Sequence, residues 1–588
     1  MLALAALLVF APIDTGSASV DLPVLDGGDF AGGVNPELRR IPWWRTVAGE
    51  PRVEFGDGGP ELVLDAGAAV EQPFALLGDS PFQIRGFHAG AGSVVLIDGA
   101  GGSVTFPLDS NAVEPVAFAF DRAEFEGLLG RAATPRFTLR LVGPESGAPA
   151  RWSNLDVRAS TPAREPAGLR AELVRRIDGL VVPYFERGLD TFGPRTTAFI
   201  AQFFDADTGA PTGGPLPRVG YSPLYDRLLA AYREEPREEW RAPLAAFIAD
   251  FLELCLHPQT GLPRTWDPVA DRPADDEPLE IAIHLRFLLD AALHGPPELR
   301  ARCRAAAARI GEWVLARGVL PTGEIAPKYR PRDGQPFTET ANLRRLDVPA
   351  QLARLGAVLG DTRHRIAARE AVRVLEYAHH WPGTWDRIDP GFDDDYGHYG
   401  ERAVTMWEAW PDEPAFRDLA LSGWHTFAPL WRLAVRHGGN IAADQVRCWR
   451  IAERIARLEP GLEDEIAALV DEAARLHFKG GQGADGVWVD VTIFGFDPQR
   501  LPVGDTAGVP HNLLEGLGVA HDARLGLDTA ETRARFEATL LATDRAFGGP
   551  YGYISGSRRA VGAGAANPAI GSIRLLPALV DLLERLPR

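Results

Sequence analysis

A change of hydrophobic period near residue 165 constrains the fold of this chain more than any other feature. From about residue 51 to 160, short runs mostly alternate apolar and polar residues: PRVEFGD, PELVLDAG, VEQPFALLG, PFQIRGFHAG, SVVLIDG, GSVTFPLD, PVAFAFD and PRFTLRLVG. Gly, Pro, Asp or Asn separate them. A strand buried on one face alternates in this way, because successive side chains point to opposite faces. About eight such runs in so short a length predict an antiparallel β-sandwich. At 160–166 the sequence STPAREP sets two prolines among small residues, a composition that ends one unit and begins another.

Beyond that boundary the period becomes helical. Leu169, Leu173, Ile177, Leu180 and Tyr184 share one face, as do Trp240, Leu244, Phe247, Phe251 and Cys255, and then Leu299, Cys303, Ile310 and Val314. Helices are also predicted over 221–233, 278–294, 342–359, 362–380, 414–437, 440–458, 462–478, 530–546 and 571–586. No exact sequence repeat accompanies them, which disfavours a tandem solenoid. A closed ring of antiparallel helix pairs buries both faces of its inner helices and leaves the loops at one end to carry chemistry. The expected organisation is therefore a multidomain β + α chain. An export signal covers 1–19, a lead segment 20–50, the β-sandwich 51–160 and a large all-α domain 167–588.

The chain has 588 residues and a net charge of −19. That charge argues against a nucleic-acid partner, because phosphate contacts need a basic face. The N-terminal run LALAALLVFA, followed by Gly16, Ser17, Ala18 and Ser19, reads as an export signal processed near Ser19, giving a periplasmic or extracellular protein. It is short for a membrane span, and no other segment is long and apolar enough for an integral membrane domain. Cys255, Cys303 and Cys448 are widely spaced and lie in helix-like runs, so buried thiols are expected. Lys328 and Lys479 stand against an otherwise arginine-only basic complement. His284, His364, Trp313, Trp424 and Trp449 lie in helical runs and read as structural groups.

The stretch from His379 to Trp410, HHWPGTWDRIDPGFDDDYGHYGERAVTMWEAW, is the most chemically loaded. Its acids, imidazoles, phenols and indoles are poor core material and good active-site material. Pro390, Gly391, Gly397 and Gly400 suggest an irregular backbone before the helical AVTMWEAW. The three aspartates can equally serve a helix N-terminus. Other polar and aromatic loops hold Trp266; Lys328, Tyr329, Arg330 and Glu339; His477, Lys479 and Asp490; and Tyr551 and Arg558.

Phe204-Asp205-Ala206-Asp207-Thr208-Gly209 and His257-Pro258-Gln259-Thr260-Gly261-Leu262 share a Thr-Gly turn followed by Pro. With a β unit in front, this resembles (α/α)-toroid carbohydrate-active enzymes, the polysaccharide lyases and glycoside hydrolases, without identifying a family. The closing β run ARWSNLDVRA is similar to the last strand of carbohydrate-binding jelly-roll modules. The resemblance implies a polysaccharide or oligosaccharide substrate. Two chemistries remain open, the first slightly favoured. A β-eliminating lyase on a uronate-containing glycan needs a cation on the carboxylate, a base and an acid. Lys328, Arg330, Arg402 or Arg558 would supply the first, and Tyr396, His398 or Tyr399 the proton transfer. A hydrolase needs two carboxyls across the bond, such as Asp394 or Asp395 with Glu401. Trp385, Trp266, Tyr329 and Tyr551 would stack on or bind sugar. His380, Asp393 and Glu401 would hold a divalent metal if one is used, though no HxxxH-type spacing marks them. A non-catalytic glycan-binding envelope protein is the third reading.

Overall fold

The computed structural model describes residues 18–23, 28–30, 41, 44–56, 58–75, 81–98, 101–120, 122–130, 136–163, 165–200, 204–205, 209, 223–337, 346–379, 392–436, 443–470, 530, 533–534, 537, 540 and 570–587. Two separate apolar cores run through it, one from Phe30 to Ala159 and one from Leu169 to Leu586.

The first core is wrapped by one nine-stranded antiparallel sheet. Its path is β2 (Arg45–Ala48), β5 (Ala69–Ala75), β8 (Arg136–Val142), β6 (Phe82–Asp98), β9 (Ala150–Ala163), β4 (Gly59–Leu64) and β3 (Arg52–Gly56). β1 (Ala18–Pro23) adds to β9, and β7 (Ser103–Phe120) to β6. The sequence predicts two strands in 81–99 and two in 102–121; each pair is one long strand. β6 bends at a bulge between His88 and Gly90 and there changes partner, from β9 to β8. Gly90 has φ +90°, and a Cβ there would meet the Pro149 carbonyl oxygen at 2.5 Å, so only glycine lets the strand turn without ending. Even-numbered residues of β6 face inward on both sides of the bend. The hydrogen bonding thus forms a single curled sheet around one core. Trp44 is buried against Phe30, and Trp152 against His88 at 4.4 Å between rings, so both indoles pack the core.

In the second unit, helices of two kinds alternate. α2 (Pro166–Arg187), α4 (Glu238–Leu254), α6 (Pro297–Trp313), α8 (Thr362–His379) and α10 (Pro414–Arg436) bury one stripe; in α4 it is Trp240, Leu244, Phe247, Ile248, Phe251 and Leu254. α3 (Pro223–Glu234), α5 (Ile281–His294), α7 (Asp347–Leu359), α9 (Phe392–Ala409), α11 (Ala443–Leu458) and the C-terminal helix Ile570–Arg585 lie inside them. α7 buries Val348 through Ala353 without interruption. A helix buried nearly all round must sit between others.

Ion pairs trace the inner ring. Asp226 of α3 meets Arg286 of α5 at 2.8 Å, and Asp290 of α5 meets Arg354 of α7 at 2.6 Å. Asp347 of α7 meets Arg402 of α9 at 2.6 Å, and Glu408 of α9 meets Arg454 of α11 at 2.6 Å. Arg450 of α11 reaches Asp581 of the C-terminal helix at 2.9 Å, and Glu584 of that helix returns to Arg233 of α3 at 3.1 Å. The circuit is closed, and the domain is an (α/α) toroid. Arg170 of α2 fastens the closure by donating to the Leu583, Leu586 and Glu234 carbonyls and to Glu235.

Connections from inner to outer helices are short: 235–237, 295–296, 360–361 and 410–413. Connections from outer to inner helices are mostly long, at 188–222, 255–280, 319–346 and 380–391, with 437–442 the short exception. One end of the toroid is therefore trimmed, and the other carries the loops. Cys255 and Cys303 are buried and free, as expected. Among the described residues no helix is long and apolar enough to cross a membrane.

Two outcomes follow. Arg170→Ala strands several carbonyls and should lower the stability of the helical unit by about 2–3 kcal/mol, with Arg170→Lys recovering little, read from denaturant unfolding. At the α11 junction, burial raises the Glu453 carboxyl to about 7, against the opposing pull of Arg585 3.7 Å away. A carboxyl whose folded pKa is raised holds its proton more tightly in the native state. Stability should then fall as pH rises from about 4.5 to 7. Glu453→Gln should flatten that window, by up to about 3 kcal/mol, in unfolding curves taken across it.

Candidate active site

The described parts of three long loops share a glycine turn. Gly209 donates to the Asp205 carbonyl with φ +66°, and Gly261 to the His257 carbonyl with φ +72°. The Thr-Gly pair at 260–261 lies beyond the end of α4, so it shapes the loop rather than capping the helix. Thr322-Gly323 repeats the device after α6, with φ +88° at Gly323. The Thr260 and Thr322 hydroxyls each accept an N–H two residues on, at 3.3 and 3.4 Å. Each turn closes a small bridge, Leu256 with Pro263 and Val319 with Ile325. The third copy was legible as a Thr-Gly following a helix, and the sequence reading missed it.

Neighbouring loops are laced together. β14 (Leu279–Glu280) pairs with β15 (Lys328–Arg330), which pairs with β16 (Gln335–Phe337), joining the α4–α5 and α6–α7 loops in one small sheet. Thr260 donates to the Pro331 carbonyl at 3.2 Å and Tyr329 to that of Pro263 at 2.9 Å. From the α2–α3 loop, Arg195 reaches Glu253 and Asp271 and lies over the Trp266 ring at 5.9 Å. Asp190 accepts from Thr197 Oγ1 at 2.8 Å, and burial raises its pKa, aided by Asp271 and Asp250 and opposed by its own hydrogen bonds.

The expected site residues divide as follows. Tyr329 is fully buried, and its hydroxyl is used by Pro263; burial pushes its pKa well up. Trp266 is only 6% exposed. Neither ring offers a face to a sugar, which corrects the expectation for both: they hold the loops. Arg330 is engaged bidentately by Asp333, whose carboxyl it pulls down to about 2. Lys328, on the adjoining position, is half-buried and has no ion pair or hydrogen-bond partner among the described residues.

α9 starts at Phe392, so 393–400 is helical where an irregular backbone was expected. Pro390 and Gly391 lie outside the described residues, and Asp393, Asp394 and Asp395 fall in the first turn, where carboxylates meet the positive helix end. Tyr396 and His398 follow in the next turns; for Asp393 through His398 the placement on the helix is what is described. Tyr399 is buried in the helical core. Arg402 lies between carboxylates of two helices, donating to Glu401 beside it and to Asp347 at 2.6 Å. Burial would lower the Arg402 pKa, and the two carboxylates more than offset that. His380, Trp385, Glu339, His477, Lys479, Asp490, Tyr551 and Arg558 lie outside the described residues.

No protein-family description matches the sequence, and no curated protein does. Solved structures similar to the chain include a family 76 glycoside hydrolase from a bovine Bacteroides thetaiotaomicron strain, 11% identical, with a TM-score of 0.39, covering 91% of this chain and 98% of that one. An alpha-1,2-mannosidase from Trichoderma reesei is 12% identical with a TM-score of 0.48, covering 72% and 95%. A cellobiose 2-epimerase from Bacillus thermoamylovorans B4167 is 11% identical with a TM-score of 0.44, covering 71% and 99%.

The Asp347–Arg402–Glu401 arrangement predicts an asymmetry. Arg402→Ala strands two carboxylates and should cost about 3–5 kcal/mol. Asp347→Asn keeps a hydrogen-bond acceptor and should cost only about 1–2 kcal/mol. Chemical denaturation of the two variants beside wild type measures both.

Proposed function

We propose that the protein is an exported carbohydrate-active enzyme that hydrolyses glycosidic bonds at the loop-bearing mouth of the toroid. The carrying observation is the placement of α9. It supports the reading by carrying three aspartates in its first turn and Glu401 near its middle. Hydrolysis needs two carboxyls, one protonating the leaving oxygen and one acting as nucleophile or as base to a water. Asp394 and Glu401 stand seven residues apart on this one helix. Arg402, held by Asp347, orients Glu401.

Elimination is the second reading, and Lys328 is what favours it: an ammonium at the mouth with no partner among the described residues could neutralise a uronate. Against it, Arg402 and Arg330 already serve carboxylates, and Tyr399 is buried. The apolar run at residues 2–11 supports export. The N-terminal curled sheet is read as a sandwich-like module that braces the toroid or holds glycan.

The test is a polysaccharide screen following new reducing ends together with the ultraviolet absorbance of an unsaturated uronate. Reducing ends alone are expected. Glu401→Gln and Asp394→Asn should each lower kcat by roughly 10²–10⁴-fold, with unfolding midpoints near wild type. Absorbance rising with the reducing ends would replace hydrolysis by elimination. Full activity in both variants would move the site away from α9.

A further inference from the structure

Where the last turn of α6 meets the α7–α8 turn, three metal-type ligands converge. Glu312 is the penultimate residue of α6, Asp361 lies in the α7–α8 turn and His364 in the first turn of α8. One donor atom from each lies within 4.8 Å of the others. We propose that Glu312, Asp361 and His364 form a binding site for a divalent transition-metal ion of the zinc type, completed by water, which staples α6 to the α7–α8 turn.

The imidazole carries the argument beyond the two acids. His364 is 0% exposed, yet neither ring nitrogen has a hydrogen-bond partner. Buried polar atoms are almost always satisfied, so an orphaned imidazole calls for a ligand. Its Nε2 edge is sealed against Gly311, where a Cβ would come within 2.6 Å. Nδ1 is the edge turned to the acids, 3.6 Å from Asp361 Oδ2, too far for a hydrogen bond and suited to sharing an ion. The turn is fixed by Gly360, at φ +68°, and by the Asp361 N–H on the Gly356 carbonyl. One imidazole and two carboxylates make a mixed N/O set of the kind zinc accepts.

Arg363 is the built-in competitor. Its Nη2 lies 2.6 Å from both Glu312 Oε1 and Asp361 Oδ2, holding the carboxylates with an organic cation. The side chain is 60% exposed, so it can swing into water when a metal takes its place.

The experiment is calorimetric titration of chelator-stripped full-length protein with zinc chloride, alongside thermal unfolding with and without zinc. One saturable equivalent is expected, with a rise in the unfolding midpoint. Glu312→Gln, at an exposed position that tolerates change, should weaken binding roughly 10–100-fold and remove the rise. Arg363→Ala should tighten binding by about tenfold or more by removing the competing cation. Zinc affinity unchanged by Glu312→Gln would overturn the proposal, since binding would then lie elsewhere, as would the absence of saturable binding in both wild type and Arg363→Ala. His364→Ala, should it fold, is expected to abolish the site, and retained binding there would count against it equally.

Discussion

The toroid depends on a circuit of charge that is completed only when six helices take the right places. Each inner helix offers at least one carboxylate or guanidinium to the next, and the last returns to α3. These pairs are not the main source of stability. They are part-exposed, and the gain from such a pair is offset by desolvation and side-chain entropy. The apolar stripes between the two layers supply most of the driving force, since a buried Leu or Phe is worth about 1.5–3 kcal/mol. What the charges supply is register. An inner helix that slipped by a turn would bury an unpaired Asp or Arg, and that error costs more than the correct pairing gains. Closure through Arg170 applies the same logic at the seam, where helices from the two ends of the domain must find one another.

Asymmetric connections turn that ring into a scaffold with one working end. Two- to four-residue turns leave no room for chemistry, and the long loops all run from an outer helix back to an inner one. The loops would be floppy if each stood alone. The β14–β15–β16 sheet and the Arg195 contacts link the described parts of the α2–α3, α4–α5 and α6–α7 loops instead. Tyr329 and Trp266 serve this lacing, and their burial has a physical reason. A loop that must hold its shape at the rim needs apolar anchors of its own.

This explains which parts were legible in the sequence. Helix periodicity is a local signal, so α3, α5, α8, α10 and α11 fall within three residues of their expected bounds. The break at 160–166 is local too. The single curled sheet was not legible, because alternation does not reveal that Gly90 bends a strand without ending it. Tyr329 was misplaced for a similar reason: an aromatic in a polar loop reads the same whether it faces solvent or a neighbouring loop. The ring of ion pairs was out of reach, since Asp347 and Arg402 lie 55 residues apart and nothing in their own surroundings names the partner. The α9 start was half-legible: three aspartates fit a helix N-terminus, but the glycines beside Tyr396 and Tyr399 argued for a loop.

The direction of the inner helices bears on the chemistry. Ring neighbours pair like ends, N-terminal halves in Asp226 with Arg286 and C-terminal halves in Glu408 with Arg454 and Glu584 with Arg233, so these inner helices run the same way. Each positive end favours a nearby carboxylate by about 0.3–1 kcal/mol, and several converge. The helix end thereby offsets part of the repulsion among the three aspartates that open α9. The same field works against a general acid, which must keep its proton near neutral pH. Acid and base roles separate only where environments differ. Carboxylates on the helix axis suit the ionised role, whereas the acid needs desolvation strong enough to win. Asp190 shows that the α2–α3 loop can provide it, because burial there outweighs two hydrogen bonds and raises the pKa. On the proposed hydrolysis, acid and base would separate by distance from the helix ends as much as by residue type.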